Sequence, residues 1–554
     1  MKNKSIWWWA GLGALVIVLA IVTTTLLVLP KEKINVTELS VTQVENQQNI
    51  TVSWETDIVP DSVTIKVVKS NGKLESSTVI SDNYHIAKGQ ATVYASYGQN
   101  RVTVEARKGS SVSTQNKTVD VSTDEYVIAP LVATMPVTLF TLQLKEISNN
   151  FTIPTFVWLQ RGAAWDYSQM PENVYLVPTG DYEKMAQYND AGNLYIQTSL
   201  WVKELYQINN ASKFHIYCND YHPYVWMQAT VANRIPAQNY DVTLMTDGTA
   251  TNIAFNKYLA GNDAKEKYDA MLEEYREFKQ AIWDKGDCTT FDTTGMPFTT
   301  TDTRYYLLQM LNEETNVKYI VTSTLPTSQN QEIADNVQQL TTDGKITKVS
   351  MKDLLNAFSE EEKTELKKLY RFNDNVFEKA TSLNKKVMLI MGTRTANEVE
   401  FDNYVLATKA YYGDGYVYYY KGHPGTPTQA DPAKEKHLQE IGLIDVDSNI
   451  AAELIFFFNP DIESSGYNSS TFSSLTDAQT GGVWNNSFTI NGNFDFSINK
   501  LSKSNETYGS LATDNSFILL FRDTTNYDLA IYDVKTNSIK YYKNVDGQFT
   551  EVNK

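Results

Sequence analysis

From Glu125 onward, short runs of β-branched and aromatic residues alternate with stretches of helical periodicity, and this alternation restricts the fold more than any other feature. Strand candidates are Pro154–Trp158, Phe214–Tyr217, Val242–Met245, Val317–Val321, Val387–Met391, Val417–Tyr420 and Phe517–Phe521. Helical periodicity is clearest at Asp263–Ile282 and Ser359–Tyr370, the second opening on Ser359 and Glu362, a spacing at which both side chains satisfy free N–H groups. Strands joined through helices run parallel, because each crossover returns the chain in the same direction, and the helices then cover the sheet faces. The pattern predicts an α/β fold with two Rossmann-like domains facing a cleft. A Gly-, Asn- and Ser-rich stretch between Thr471 and Ser516 is expected to be a long loop or an inserted hairpin. Beyond Asp523, Leu529–Asp533 and Ile539–Tyr542 around the turn Lys535–Asn537 form a polar hairpin.

What precedes Glu125 has a different texture. From about Ile34 to Ser122 no helical stretch occurs, and Val102, Val104 and Ala106 alternate with Thr103, Glu105 and Arg107, as in a half-buried strand. Trp54 is of the kind that fills a sandwich core, and Asn71-Gly72 accepts the positive φ angles of a tight hairpin turn. An all-β Ig-like or fibronectin-III-like sandwich is the expected result, with the role of a spacer.

Before the sandwich, Ile6–Leu29 is uncharged and mainly apolar, and about 20 such residues span a bilayer as a helix. Trp7, Trp8 and Trp9 would sit at one interface. Val28-Leu29-Pro30-Lys31 lacks the small residues of a cleavage site, so the run is read as a single-pass anchor rather than a signal peptide. Lys2, Lys4 and the amino terminus precede it, against Lys31 and Lys33 with Glu32 between. That balance leans towards a cytoplasmic N-terminus and an extracytoplasmic bulk. The expected segments are 1–33 anchor, 34–125 sandwich, 126–387 and 388–525 Rossmann-like domains, and 526–554 hairpin-like tail.

Charge and motif content narrow the chemistry. With 48 Lys+Arg against 65 Asp+Glu the net charge is −17, which repels phosphate backbones and argues against nucleic acid as a partner. Cys218 and Cys288 cannot form a disulfide framework. The five histidines are scattered, and no metal site is implied. The chain lacks a Gly-x-Ser-x-Gly elbow and a Gly-x-x-x-x-Gly-Lys loop, which removes acyl transfer and nucleotide hydrolysis. Its 34 tyrosines suit stacking on sugars and equally suit a β-rich core.

One stretch concentrates the remaining signal. Tyr416-Val417-Tyr418-Tyr419-Tyr420-Lys421 reads as a buried strand running into Gly422-His423-Pro424, and open α/β sheets bind ligands at such strand ends. Taken alone, His-Pro is a surface turn. Downstream stand Ala451-Ala452-Glu453 and Ser469-Ser470, and upstream Leu244-Met245-Thr246-Asp247-Gly248-Thr249. In this order and spacing the motifs resemble the bacterial sialyltransferases of glycosyltransferase family 80. Ala133-Thr134-Met135-Pro136, Tyr217-Cys218-Asn219-Asp220-Tyr221-His222 and the helix-turn-helix pattern of Met351–Ala380 resemble family segments too, so the similarity runs from about Val127 to about Asp523.

That resemblance implies a GT-B fold with its break near Val387, and transfer of sialic acid from CMP-sialic acid to a galactose-type hydroxyl by one inverting displacement without a metal. It implies Asp247 as general base and His423 as donor to the departing phosphate, helped by Ser469 and Ser470. Glu453 would accept from the ribose hydroxyls, Lys421 and Pro424 would lie against the cytosine, and His222 and Gly392 would serve the acceptor side. The side chains suit these tasks: a carboxylate before Gly can reach a sugar hydroxyl, and an imidazolium can donate to a phosphate oxygen. Each also has an ordinary reading, Asp247-Gly248 as a turn, the serines as a helix cap and Glu453 as a solvated helix position.

Three departures mark the chain. Thr246 stands where the family carries a first acidic residue, Ala396 where it carries a Trp that packs on the acceptor sugar, and the tail replaces a helix crossing back to the first half. The alternatives are a GT-B transferase using another sugar nucleotide, or a non-catalytic surface protein that binds glycans.

Overall fold

The computed structural model describes residues 32–553 apart from 46, 70–73, 81–86, 161–164, 177–190, 221, 223, 247–249, 287–304, 323–324, 327, 393–397, 423–431, 448–449, 467–470, 472–487, 491–516, 522–525, 528, 534 and 547. The apolar run Ile6–Leu29, the turn at Asn71-Gly72, Cys288 and Ala396 therefore lie outside the described residues. Among the described residues no helix is long and apolar enough to cross a membrane. Cys218 is a free, buried thiol.

The first compact unit is built from seven strands: β1 Val36–Gln43, β2 Asn49–Thr56, β3 Ser62–Lys69, β4 Leu74–Ile80, β5 Lys88–Tyr94, β6 Gly98–Lys108 and β7 Ser111–Val121. They form two antiparallel sheets, ordered β1-β2-β5 and β4-β3-β6-β7. Alternation decides the inner face: Ile50, Val52 and Trp54 on β2, and Val102, Val104 and Ala106 on β6, are buried while their neighbours are not. Each such aliphatic side chain contributes about 1.5–3 kcal/mol by leaving water. The Trp54 indole needs a partner strand without a side chain, since a Cβ at Gly89 would stand 2.4 Å from its ring.

The second unit begins with a seven-stranded, wholly parallel sheet: β8 Glu125–Val132, β9 Thr155–Gln160, β10 Val174–Leu176, β11 Lys213–Asn219, β12 Tyr240–Met245, β13 Val317–Val321 and β14 Ile346–Lys348. Its order is β10-β9-β8-β11-β12-β13-β14. Sequence order reverses between β8 and β11, so the crossover helices of the two wings leave on opposite faces and a crevice opens at the strand ends. β8 is buried at all positions from Tyr126 to Val132, as expected of a strand covered on both faces. The helix Thr134–Ile147 leaves its end and buries Val137, Phe140 and Leu144 in a core shared with Ala451 and Leu454.

A four-stranded parallel sheet follows: β15 Lys386–Met391, β16 Tyr416–Lys421, β17 Ile444–Val446 and β18 Glu463–Gly466, ordered β17-β16-β15-β18. It repeats the same reversal, between β15 and β18. The helix Glu360–Leu369 is capped as its sequence predicts, with Glu362 N–H donating to Ser359 Oγ at 3.2 Å and Ser359 N–H to Glu362 Oε2 at 2.8 Å.

The chain closes with a five-stranded antiparallel sheet, β19 Phe488–Ile490, β20 Phe517–Phe521, β21 Leu529–Asp533, β22 Ser538–Val545 and β23 Gln548–Val552, paired in sequence order. This corrects one expectation. Phe517–Phe521 is a strand but not one of the parallel set, because it pairs antiparallel with β19 and β21. Five consecutive apolar residues announce burial and say nothing of partners. Tyr527, Ala530 and Tyr532 pack in one core with Met388, Ile390, Tyr418 and Tyr420, so the tail covers a face of the second parallel sheet. The fold is thus mixed α/β, with two parallel sheets in doubly wound order and antiparallel sheets at both ends of the chain.

Candidate active site

The second parallel sheet brings Gly392, Lys421 and Glu453 together from the expected set. Lys421 ends β16 and is 2% exposed, a position reached because the four residues before it are all buried. Its ammonium donates to Gly422 O at 3.2 Å. Burial pulls the amine down to about 8, while Glu453, Asp447 and Asp445 act in the opposite sense. Gly392 follows β15, and its N–H donates to Lys421 O at 2.8 Å, extending the β15–β16 ladder by one bond. A Cβ at Gly392 would stand 2.4 Å from Tyr420 Oη, which explains a glycine on steric grounds.

Glu453 lies in the first turn of the helix Ala452–Phe458 and is 2% exposed. The ordinary alternative, a solvated helix position, does not hold, because the helix packs Ala452 and Ile455 into one core and Leu454 into another. Burial raises the carboxyl above its ordinary range; the helix backbone, the Thr471 hydroxyl and the Lys421 charge work against that shift. Glu453 Oε2 is buried and has no hydrogen-bond partner among the described residues. Asp445, on β17, is pushed up to about 6 by burial.

In the first parallel sheet, His222 follows β11 at the strand's C-terminal end. Its ring meets the edges of Tyr195 and Tyr224, each with centroids 5.7 Å away and interplanar angles of 61° and 78°. Those tyrosines are buried and pack on each other at 6.0 Å, so they hold the imidazole rather than offer a surface for stacking. Neither was singled out in the sequence, although Tyr224 stands within the His222-Pro223-Tyr224 motif. Asn219, the last residue of β11, is 1% exposed, and neither polar atom of its amide has a hydrogen-bond partner among the described residues. Nothing in the local sequence distinguishes that asparagine from a turn residue.

Asp247, His423, Pro424, Ser469 and Ser470 lie outside the described residues. Their neighbours are described: Thr246 follows β12 and is buried, Gly422 follows Lys421, and Thr471 is 6% exposed beside Glu453. Among the described residues no group of three or more His, Cys, Asp or Glu side chains is placed to hold a metal ion.

A buried ammonium, a buried carboxylate with one oxygen unmet among the described residues, and a glycine that lets two strand ends close up lie in this part of the fold. A buried charged oxygen without a donor costs about 1–3 kcal/mol or more, so the arrangement favours a ligand that brings hydroxyl donors.

No family model matches the chain, and no curated protein matches it. Among solved structures it is similar to a 2,6-sialyltransferase of Vibrionaceae Photobacterium sp. JT-ISH-224, in a ternary complex with CMP and lactose. That match has 12% identity and a TM-score of 0.46, covering 80% of this chain and 86% of that one. An α/β-galactoside α-2,3-sialyltransferase from Photobacterium phosphoreum matches at 13% identity and a TM-score of 0.48, covering 71% of this chain and 98% of that one. A UDP-GlcNAc 2-epimerase from Neisseria meningitidis bound to UDP-GlcNAc matches at 11% identity and a TM-score of 0.33, covering 63% and 79%. At these identities and scores the likeness carries no inference about chemistry, which rests on the chain's own residues.

Proposed function

We propose that the chain is a sialyltransferase that moves sialic acid from CMP-sialic acid to a galactose-type hydroxyl of a glycan, by one inverting displacement without a metal. The observation that carries the reading is the buried Glu453 carboxylate, with Oε2 unmet among the described residues, within electrostatic range of the buried Lys421 ammonium at the end of a strand in a doubly wound sheet. Two vicinal ribose hydroxyls are donors that such a carboxylate can accept together. Lys421 and Pro424 hold the base and Gly392 keeps the strand ends closed.

In the reaction, Asp247 takes the proton of the acceptor hydroxyl while its oxygen attacks the anomeric carbon and the bond to the phosphate oxygen breaks. His423, Ser469 and Ser470 donate to the phosphate as it gains charge, a kind of stabilisation worth roughly 3 kcal/mol per donor. His222 orients the acceptor. The chain is anchored by Ile6–Leu29, with the sandwich as a spacer and the bulk extracytoplasmic.

The test is CMP release from CMP-sialic acid with lactose present, for the wild type and for Asp247→Ala and His423→Ala. Sialylated product that appears in chelator and is lost in both variants supports the reading. A wild type that binds UDP or another nucleotide in place of CMP moves the assignment to another sugar nucleotide, and one that binds glycan without turnover leaves a binding protein.

A further inference from the structure

The hydroxyl of Tyr319, on β13, is wholly buried and stands at the centre of four segments. It donates to Asp220 Oδ2 at 2.8 Å and accepts from Asn252 Nδ2 at 3.4 Å, and Thr246 hydrogen-bonds to it as well. Asp220, Thr246, Asn252 and Tyr319 are at most 0% exposed. Backbone bonds bind the same segments: Asp220 N–H donates to Met245 O at 2.8 Å and Thr246 N–H to Ile320 O at 3.1 Å. Burial, reinforced by the Asp220 charge, holds the phenol well above its usual range, so it is a donor at neutral pH.

The placement has a specific consequence. Thr246 immediately precedes Asp247, and Asn252 lies in the first turn of the helix Ala250–Tyr258 that follows it. Asp220 begins the connection to His222. One hydroxyl thus fastens both flanks of the segment carrying the base, and through Asp220 the segment carrying the acceptor-side histidine. A buried carboxylate is costly, and an apolar residue at position 220 would serve packing alone; what Asp220 adds is a fixed bond direction.

We infer that Tyr319 and Asp220 are positioning residues that fix Thr246 and Asn252, the described residues on either side of Asp247, and the chain leading to His222, and that the transfer step depends on them. This rests on the sialyl-transfer reading. Neither residue belongs to the second parallel sheet, so nucleotide binding is expected to be independent of them.

The experiment uses the full-length protein with Tyr319→Phe and Asp220→Asn, measuring steady-state transfer from CMP-sialic acid to lactose and, separately, CMP affinity by calorimetry. Tyr319→Phe lowers kcat about tenfold or more, since small misplacements of reacting groups carry losses of that order, while CMP affinity is unchanged. Asp220→Asn, whose amide oxygen still accepts from the phenol, keeps more of kcat than Tyr319→Phe. A Tyr319→Phe variant with wild-type kcat overturns the inference, as does a fall in kcat matched by an equal fall in CMP affinity or folded fraction. A wild type that does not turn over CMP-sialic acid overturns the proposed function and this inference together.

Discussion

The N–H of Gly392 donates to Lys421 O at 2.8 Å, so the residue just past β15 is joined to the last residue of β16, close to the Tyr420 ring. Adding a methyl group at Gly392 places a carbon 2.4 Å from Tyr420 Oη and 2.8 Å from the ring carbon behind it. Because the ring is itself packed on Phe401 at 5.1 Å, the strand ends must give way. Gly392→Ala is expected to cost about 1–3 kcal/mol in urea unfolding and to weaken CMP binding. A variant with unchanged stability and affinity would show that the ring moves freely.

Glu453 poses the opposite trade. Its Oε2 is buried without a donor among the described residues, so the folded protein carries a cost that a ligand relieves. Glu453→Leu is expected to raise unfolding free energy by about 1 kcal/mol while reducing CMP affinity at least tenfold, a loss of about 1.4 kcal/mol. Chemical denaturation and titration on the same sample check both signs.

The pH dependence of nucleotide binding follows from Lys421. Its amine is pulled down to about 8, so the charge that faces an anionic nucleotide is present below that pH and is lost above it. A bound anion favours the charged form and moves the loss upward. CMP affinity is expected to hold to about pH 8 and decline beyond it, and Lys421→Met is expected to bind more weakly with no such decline. A wild-type affinity that is flat to pH 10 would exclude Lys421 from nucleotide binding.

In the sandwich, Trp54 is 3% exposed and lies against the bare backbone of Gly89. Trp54→Ala removes the largest side chain of that core, and large-to-small changes of this kind cost about 3–5 kcal/mol. A fall in the melting temperature of the sandwich with CMP affinity unchanged is the expected outcome, followed by calorimetry.

Much of the layering was legible because strands and helices differ in period, and period is written along the chain. Val102, Val104 and Ala106, or Ser359 with Glu362, need only neighbours within a turn or two to declare themselves. Lys421 and Glu453 were legible for another reason, the order of short motifs, and that order placed them without indicating what surrounds them. The burial of Glu453 was not readable, since Ala-Ala-Glu on a helix looks the same whether the helix faces water or two cores. Nor were the aromatic packing of His222 against Tyr195 or the pairing of Phe517–Phe521 with β21.

The sequence by itself determined the kinds of element, the alternation that makes two of the sheets parallel, and a short set of polar residues worth testing. Only the tertiary structure decided which of them are desolvated and which distant residues meet: Tyr319 and Asp220, 99 residues apart, share a hydrogen bond that no local pattern announces. The physical reason is that periodicity reports a residue's neighbours along the chain, whereas desolvation and hydrogen-bond geometry are set by whatever the fold brings beside it.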